Sequence, residues 1–320
     1  MVNTEMITKE MNKNWIQLLV TNLVIGLMIP VQLWIQYLDF QDYLKLHTSS
    51  LFTINFDNFG PSFIFMLFVF TLAIIQIGIE RNNGTLEFTL GMPFSRASIF
   101  LSKWMIGFCS ILVSWVFSYG ITGLIIRVLN ISTVNFDNYY WYLLGAMLLL
   151  YTMTLSIGSL TGTAFAQGLV TLSVSILPML IFGLFTVQLD VFTDIHLRFN
   201  DQILWGTYNI TPLTYIFFKF GSFPIKEVYP PFIEATVFLM IGYYAFIKQP
   251  FERNGSFFMW KWMEKPIQVM VILIGLLGCS AFGYLTSLEH SMVGYFVGAV
   301  LGVILGFIIS YFVIYKKKNR

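Results

Sequence analysis

Few residues in this chain of 320 residues have the types and spacing that chemistry requires. Its three histidines, His47, His196 and His290, are far apart, and none has a second histidine at metal-ligand spacing. The sequence has no nucleophile elbow and no His-Glu-x-x-His pair, and it lacks the G-x-x-x-x-G-K-[ST] loop that cradles phosphates. We therefore expect no catalytic residue, no metal ligand and no nucleotide cofactor bound by this chain.

The most informative polar segment is residues 80–96, which reads ERNNGTLEFTLGMPFSR between two long apolar runs. Residues 84–92 are predicted to form a short helix. Asn82 or Asn83 is expected to cap its start, and Pro93 prevents its continuation. Two turns of helix are too short to be stable alone, so this segment must lean on a neighbour.

The short helix is predicted to present a small apolar ridge to a partner. Leu86 and Leu90 lie on one face at i, i+4, with Glu87 and Thr89 turned elsewhere. The alternative is an amphipathic helix that rests on lipid.

The elements around this segment belong to an integral membrane protein. The chain is 57% hydrophobic and only 11% charged, against about 25% charged residues in a soluble domain. A membrane span must be a helix of roughly 20 apolar residues or part of a closed barrel, and the apolar runs here have helix length. The predicted fold is an all-α polytopic membrane protein with about eight transmembrane helices, at residues 15–38, 62–79, 98–129, 139–162, 168–187, 232–247, 266–287 and 292–315. A count of six or seven stays open, because the sixth run is the shortest and the turn at residues 161–167 carries no charge.

The distribution of basic residues predicts the orientation, because Lys and Arg are retained on the cytoplasmic side of short loops. With eight spans, both termini and residues 80–96 face the cytoplasm, in a multi-pass plasma-membrane protein. That side then holds most of the 18 basic residues, namely Lys9, Lys13, Arg81, Arg96, Lys103, Lys248, Arg253, Lys261, Lys265, Lys316, Lys317, Lys318 and Arg320.

Two further segments are unusual. Residues 188–231 form a long outer segment whose apolar part, residues 210–220, is too short to cross the membrane; it is either a re-entrant half-helix or a loop on the headgroups.

The last span carries a glycine every fourth residue, which predicts a helix-packing ridge. Its partner is either Gly275 or Gly278 of the preceding span, or a second subunit. The ridge glycines are Gly294, Gly298, Gly302 and Gly306.

The spans have few ionisable groups near their centres, where an ion-coupled transporter would retain them. Gln76, Gln167 and Glu234 are expected near span ends, and Arg127 can snorkel outward. Proton- or sodium-coupled transport is therefore disfavoured.

The order of residues in and after the short helix resembles the first cytoplasmic loop of ABC type-2 transporter permeases. The matching pattern is Glu80-Arg81-x-x-Gly84-Thr85-Leu86, then Pro93-x-Ser95-Arg96, then Lys103. In that family the pattern E-[RK]-x-x-G-T-L…P-x-[ST]-R…K forms the coupling helix. The resemblance implies that Gly84, Thr85, Leu86, Glu87, Phe88 and Leu90 contact a separate ATPase subunit.

The resemblance also implies an architecture and partners. Residues 1–250 would be the permease core of six spans, with half-helices before the sixth, and residues 251–320 a two-helix C-terminal extension. Two ATPase subunits would hold ATP and magnesium, and a second permease chain would complete a homo- or heterodimer in the lipid bilayer, with no role for nucleic acid. The alternatives are a non-transporting immunity or sensory subunit and an ion-coupled secondary transporter.

The lead-in to the extension, residues 248–262 with Glu252-x-x-Gly255, is similar to the Ytr-like subgroup of Gram-positive permeases. That subgroup includes relatives that export amphipathic peptides of the phenol-soluble modulin kind. Export of such peptides, or of another hydrophobic substrate, is therefore the expected function. The sequence Glu80-Arg-Asn-Asn-Gly-Thr is echoed by Glu252-Arg-Asn-Gly-Ser, which suggests either a second cytoplasmic contact or similar local capping.

Overall fold

A computed structural model describes residues 4–44, 52–58, 63–193, 201–217, 228–287 and 291–315. Within these residues the chain is almost entirely helical. The helices are α1 (Thr4–Leu44), α2 (Phe63–Ile74), α3 (Glu80–Asn82), α4 (Thr85–Leu90), α5 (Arg96–Val128), α6 (Phe136–Leu160), α7 (Ala164–Thr193), α8 (Asp201–Ile210), α9 (Pro212–Phe217), α10 (Pro230–Lys248), α11 (Lys261–Thr286) and α12 (Met292–Tyr315). A π-helical turn, Ile75–Ile79, joins α2 to α3. Two strands, β1 (Thr53–Asn55) and β2 (Ser132–Val134), pair in parallel.

Eight helices among the described residues are long and apolar enough to cross a membrane. They coincide with the eight predicted runs, so the fold class is confirmed: the chain is an all-α, multi-pass membrane protein. The first helix is longer than predicted. It begins at Thr4 and bends at Asn14, whose backbone is not helical, so residues 4–13 form a separate segment before the span.

The helix α6 is the centre of the bundle, and α2, α5, α7, α9 and α10 all pack against it. Almost every side chain between Tyr139 and Ser159 is buried. An apolar helix surrounded by other helices needs no polar face, and this explains why α6 shows no amphipathic pattern.

Several basic residues lie together at one end of the helix bundle. Contacts join α1 to α3, the start of α5 to the end of α10, and the end of α6 to residues 249–260. We call residues 249–260 the connector between α10 and α11. We call this end, where Lys13, Arg81, Arg96 and Lys248 lie, the basic end.

Two short helices, α8 and α9, precede the sixth span, as the resemblance implied. They pack against α6, α7 and α10 near the opposite end, where the hydroxyl of Tyr142 donates to the carbonyl oxygen of Thr214 at 3.3 Å. Residues 218–220 of the predicted half-helix lie outside the described residues. That this segment enters the membrane stays a prediction.

The last two helices form a closely packed pair. The backbone of α12 at Gly294, Gly298, Gly302 and Gly306 lies directly against the backbone of α11. On α11 the facing glycines are Gly275 and Gly283, whereas Gly278 points toward Leu184 of α7. The glycine ridge therefore packs within the chain, and α11 holds the pair to the rest of the bundle through α7.

Candidate functional site

The short helix predicted from residues 84–92 is α4, which lies at the basic end between α2 and α5. Its start differs from the prediction, because neither Asn82 nor Asn83 caps it. Gly84 stands at the N-cap with φ of 73°, a left-handed conformation that favours glycine and turns the chain sharply out of α3. The side chain of Asn82 instead accepts a hydrogen bond at 3.3 Å from the amide of Ala164, the first residue of α7.

The exposed face of α4 is not the face predicted from the sequence. Leu86 is 1% exposed and belongs to the hydrophobic core, and Leu90 is half-buried. The expectation that Leu86 and Leu90 form a ridge toward a partner is therefore wrong, because α4 uses that face to pack on its own chain. The side chain of Phe88 is 71% exposed instead.

Two residues of α4 and the two glycines that flank it form one exposed face. Gly84, Glu87, Phe88 and Gly91 are all exposed, and their separations of three and four residues place them on one side of a helix. Thr85 is also exposed, beside this face. We call Gly84, Glu87, Phe88 and Gly91 the α4 face. An aromatic ring in the middle of a small, otherwise polar surface is the arrangement that anchors helices in protein grooves.

A buried ionic cluster lies directly beneath α4. The ammonium group of Lys103, on α5, is fully buried and contacts Glu80 at 2.7 Å and Glu10, on α1, at 2.9 Å. Lys13 completes the cluster from the other side of Glu80, at 2.9 Å. The four charges sum to zero and join three helices. Buried charges are tolerated only when they are paired in this way.

Arg81 holds the turn between α6 and α7 to the base of α4. Its guanidinium group donates to the carbonyl oxygen of Gly158 at 2.8 Å, to that of Thr161, and to the side-chain oxygen of Gln249 at 2.7 Å. The two terminal nitrogens of the planar guanidinium group share these three acceptors, so one side chain links α6, the turn after it and the residue that follows α10.

Ser95 and Arg96 attach the chain that follows α4 to the start of α5 and to the end of α10. The side chain of Ser95 caps α5 by accepting a hydrogen bond from the amide of Ser98 at 3.2 Å. Arg96 donates to the carbonyl oxygens of Ile247 and Gln249, at 3.0 and 3.1 Å, where α10 ends. The residues that carry the family pattern therefore serve mainly to attach α4 rigidly to α5, α6 and α10.

The segment before the bend in α1 lies along α4. The ammonium group of Lys9 is 5.4 Å from the ring centre of Phe88 and donates to the sulfur of Met92 at 3.0 Å. Lys13 donates to the hydroxyl of Thr85 at 3.4 Å. The first segment of α1 is thus a lateral support for the short helix.

Sequence reasoning missed two members of this site. Glu10 is buried and lies 93 residues from Lys103 in the chain. The available signal was the presence of Lys9 and Lys13 near Glu10, which indicates that its carboxylate forms an ion pair. Asn254, in the connector, donates to the carboxylate of Glu87 at 2.6 Å. The echo between the sequences at Glu80 and Glu252 was the available signal, since it places Asn254 in a second loop at the same end.

Comparisons with known proteins place these features in a family. A model described as ABC-2 family transporter protein matches residues 7–204. The chain is 33% identical over 324 residues to the probable ABC transporter permease YtrD of Bacillus subtilis (strain 168), covering 99% of each protein. It is 30% identical over 334 residues to the probable ABC transporter permease YtrC of the same strain, again covering 99% of each. No solved structure matches the chain significantly.

Proposed function

The chain belongs to the ABC-2 family of transporter proteins and is a membrane-spanning permease subunit of an ABC transporter; from this premise we propose that a separate ATPase subunit drives it through the α4 face. The resemblance predicted from the sequence, including that to the Ytr-like subgroup, is confirmed. Family membership favours ATP-driven transport over the immunity, sensory and ion-coupled alternatives.

One observation carries the proposal: the exposed ring of Phe88 stands on a helix that the chain attaches rigidly to three spans. A helix that transmits force to the spans must be firmly attached to them. The residues that attach α4 are Arg81, Arg96 and the buried ionic cluster around Lys103. A push on Phe88 would therefore move α5, α6 and α10 together.

The proposal includes an orientation and an assembly. The basic end faces the cytoplasm, because basic residues concentrate there and the start of α1 and the end of α12 lie at that end. Two ATPase subunits hold ATP and magnesium, and two permease chains, identical or different, form the pathway. Nucleotide is assigned to the partner because this sequence has no phosphate-binding loop.

Replacement of Phe88 by Asp tests the proposal. We expect the affinity for the ATPase subunit to fall about 30-fold or more, because an interface anchor of this kind contributes about 2 kcal/mol or more. The measurement is the amount of ATPase that co-purifies with the permease in detergent, followed by the dissociation constant of the purified pair. Leu86→Asp is not a useful test, since Leu86 is a core residue and its replacement would disrupt folding.

The matched control is Phe165→Asp on α7. Phe165 is 70% exposed, so the substitution is equal in chemistry and in exposure but lies outside the α4 face. The control should retain the ATPase. If Phe88→Asp also retains it, with wild-type folding, the α4 face is not the docking site.

The proposed substrate is an amphipathic peptide or another hydrophobic molecule, which leaves the cell. A groove of about 530 Å³ between α1 and α5 supports this class, since it is lined by apolar side chains such as Trp15 and Phe117 and has Asn22 and Ser114 in its wall. We expect cells that lack the protein to retain amphipathic peptides, measured by mass spectrometry of cytosol and medium. Normal secretion in such cells would contradict the peptide assignment without touching the role of α4.

A further inference from the structure

The connector between α10 and α11 is a folded element that packs against the turn between α6 and α7. The amide of Met259 donates to the carbonyl oxygen of Leu160 at 2.9 Å, and the amide of Gly162 donates to that of Phe257 at 3.2 Å. In a third hydrogen bond, the amide of Gly255 donates to the carbonyl oxygen of Gly162 at 3.1 Å. These backbone bonds give the connector a defined position at the basic end.

The connector continues the α4 face. Asn254 donates to Glu87 at 2.6 Å, so the two segments are in direct contact. Next to this bond, Glu252 and Gly255 are exposed in the connector, as Glu87 and Phe88 are exposed on α4. Gly255 has φ of 84°, which forms the tight turn that brings Asn254 to α4.

We propose that the connector is a second part of the docking surface for the ATPase subunit, with Glu252 as its contact residue. The proposal rests on the proposed function, because it names the same partner. It extends that function to the C-terminal helix pair, which is additional to the permease core. The partner surface that fits is an apolar pocket for Phe88 bordered by basic side chains.

The charges at this end support a basic protein partner. Glu10 and Glu80 are neutralised in the buried cluster, and Glu264 pairs with Arg253. Among the described residues, neither Glu87 nor Glu252 forms an ion pair. Glu87 and Glu252 are both exposed and lie in the two segments that Asn254 joins, so they form a local acidic patch beside Phe88 that basic side chains of a protein partner would complement.

The connector also offers a route for force into the last two spans. Arg253 forms its ion pair with Glu264 in the first turn of α11. The connector is thus bonded to α4 through Asn254 on one side and to α11 through Arg253 on the other. An ATPase that contacts both segments would move α11 and α12 together with the core.

The test uses the full-length permease in lipid nanodiscs and the ATPase subunit recovered by co-purification, with the dissociation constant measured by biolayer interferometry. Glu252→Arg should weaken binding about tenfold or more, because it opposes like charges across the interface. Asp39→Arg is the control. It makes the same change of charge at an exposed residue on α1, near the opposite end, and should leave the affinity unchanged.

A second variant tests the attachment of the connector to α4. Asn254→Leu removes the hydrogen bond to Glu87 with a side chain of similar shape and adds no charge, so it should loosen the attachment of the connector and weaken binding about threefold or more. Glu252→Arg and Asn254→Leu that both bind like wild type would overturn the proposal. The Phe88→Asp variant is measured in parallel: if it alone weakens binding, the α4 face stands and the connector is excluded, whereas its failure would count against the α4 face.

Discussion

Replacement of Lys103 by Met should destabilise the folded protein by about 3–5 kcal/mol, because it leaves buried carboxylates without their counter-ion. Lys103 is fully buried between Glu10 and Glu80, and only Lys13 would remain to neutralise two negative charges. Methionine matches the apolar stem of lysine, so the loss would report the missing charge rather than a cavity. The free energy of unfolding can be measured by titration with sodium dodecyl sulfate in mixed micelles, followed by tryptophan fluorescence.

Two controls separate charge from other causes. Lys261→Met removes an exposed lysine at the same end and should change the free energy of unfolding by less than about 0.5 kcal/mol. The triple variant Lys103→Met, Glu10→Gln, Glu80→Gln removes the uncompensated carboxylates as well, and it should recover part of the loss. A Lys103→Met protein as stable as wild type would mean that the cluster does not hold the base of α4.

The cluster gives a physical reason why the first segment of α1 belongs to the site. Glu10 is the only member contributed by α1 that contacts Lys103, and it lies on the N-terminal side of the bend at Asn14. The same segment carries Lys9, whose ammonium group lies beside the ring of Phe88. The first segment of α1 would therefore move together with α4. Lys9 contacts Phe88 on α4, and Glu10 is ion-paired with Lys103 beneath it.

The spans and the position of α4 could be predicted from the sequence because the hydrophobic effect dominates both. A helix that crosses a membrane must be apolar over most of its length, and the composition alone locates it. The predicted run at residues 292–315 matches α12 at both ends. Pro93 and the charged residues around it likewise required a break between the second and third spans.

The orientation of α4 could not be predicted, because helical spacing does not say which face is buried. Leu86 and Phe88 are both apolar, and six residues give a pattern too short to choose between two faces. The choice is made by neighbours that are distant in the sequence. The ammonium group of Lys9 lies beside the exposed ring of Phe88, whereas Leu86 packs into the hydrophobic core of the bundle.

The caps were mispredicted for a related reason. Asn82 has the correct type and position for an N-cap of α4, but its side chain caps α7 instead. Gly84 achieves the turn into α4 through its backbone, which leaves Asn82 available for α7. Local rules therefore located a helix start correctly and assigned its capping residue to the wrong helix.

Replacement of Gly302 by Leu should destabilise the α11–α12 pair by about 3 kcal/mol, since overpacking at a backbone contact cannot be relieved by a change of rotamer. A Cβ atom at Gly302 would lie 2.7 Å from the carbonyl carbon of Gly275 and 2.9 Å from the Cβ of Cys279. Gly120→Leu on α5 is the matched control, because no heavy atom lies within 4 Å of the added Cβ. The detergent titration used for Lys103 measures both variants.

The same pair of variants distinguishes a ridge that packs within the chain from one that binds a second subunit. If the glycines of α12 join two permease chains, Gly302→Leu should convert dimers into monomers on a size-exclusion column and leave the stability of each chain unchanged. The structure favours the opposite result, a less stable chain in an unaltered assembly, because the face of α12 that holds Gly302 is already covered by α11. With that face occupied, α12 meets its remaining surroundings through apolar side chains such as Val293, Phe296 and Val300, which suit lipid as well as they suit protein.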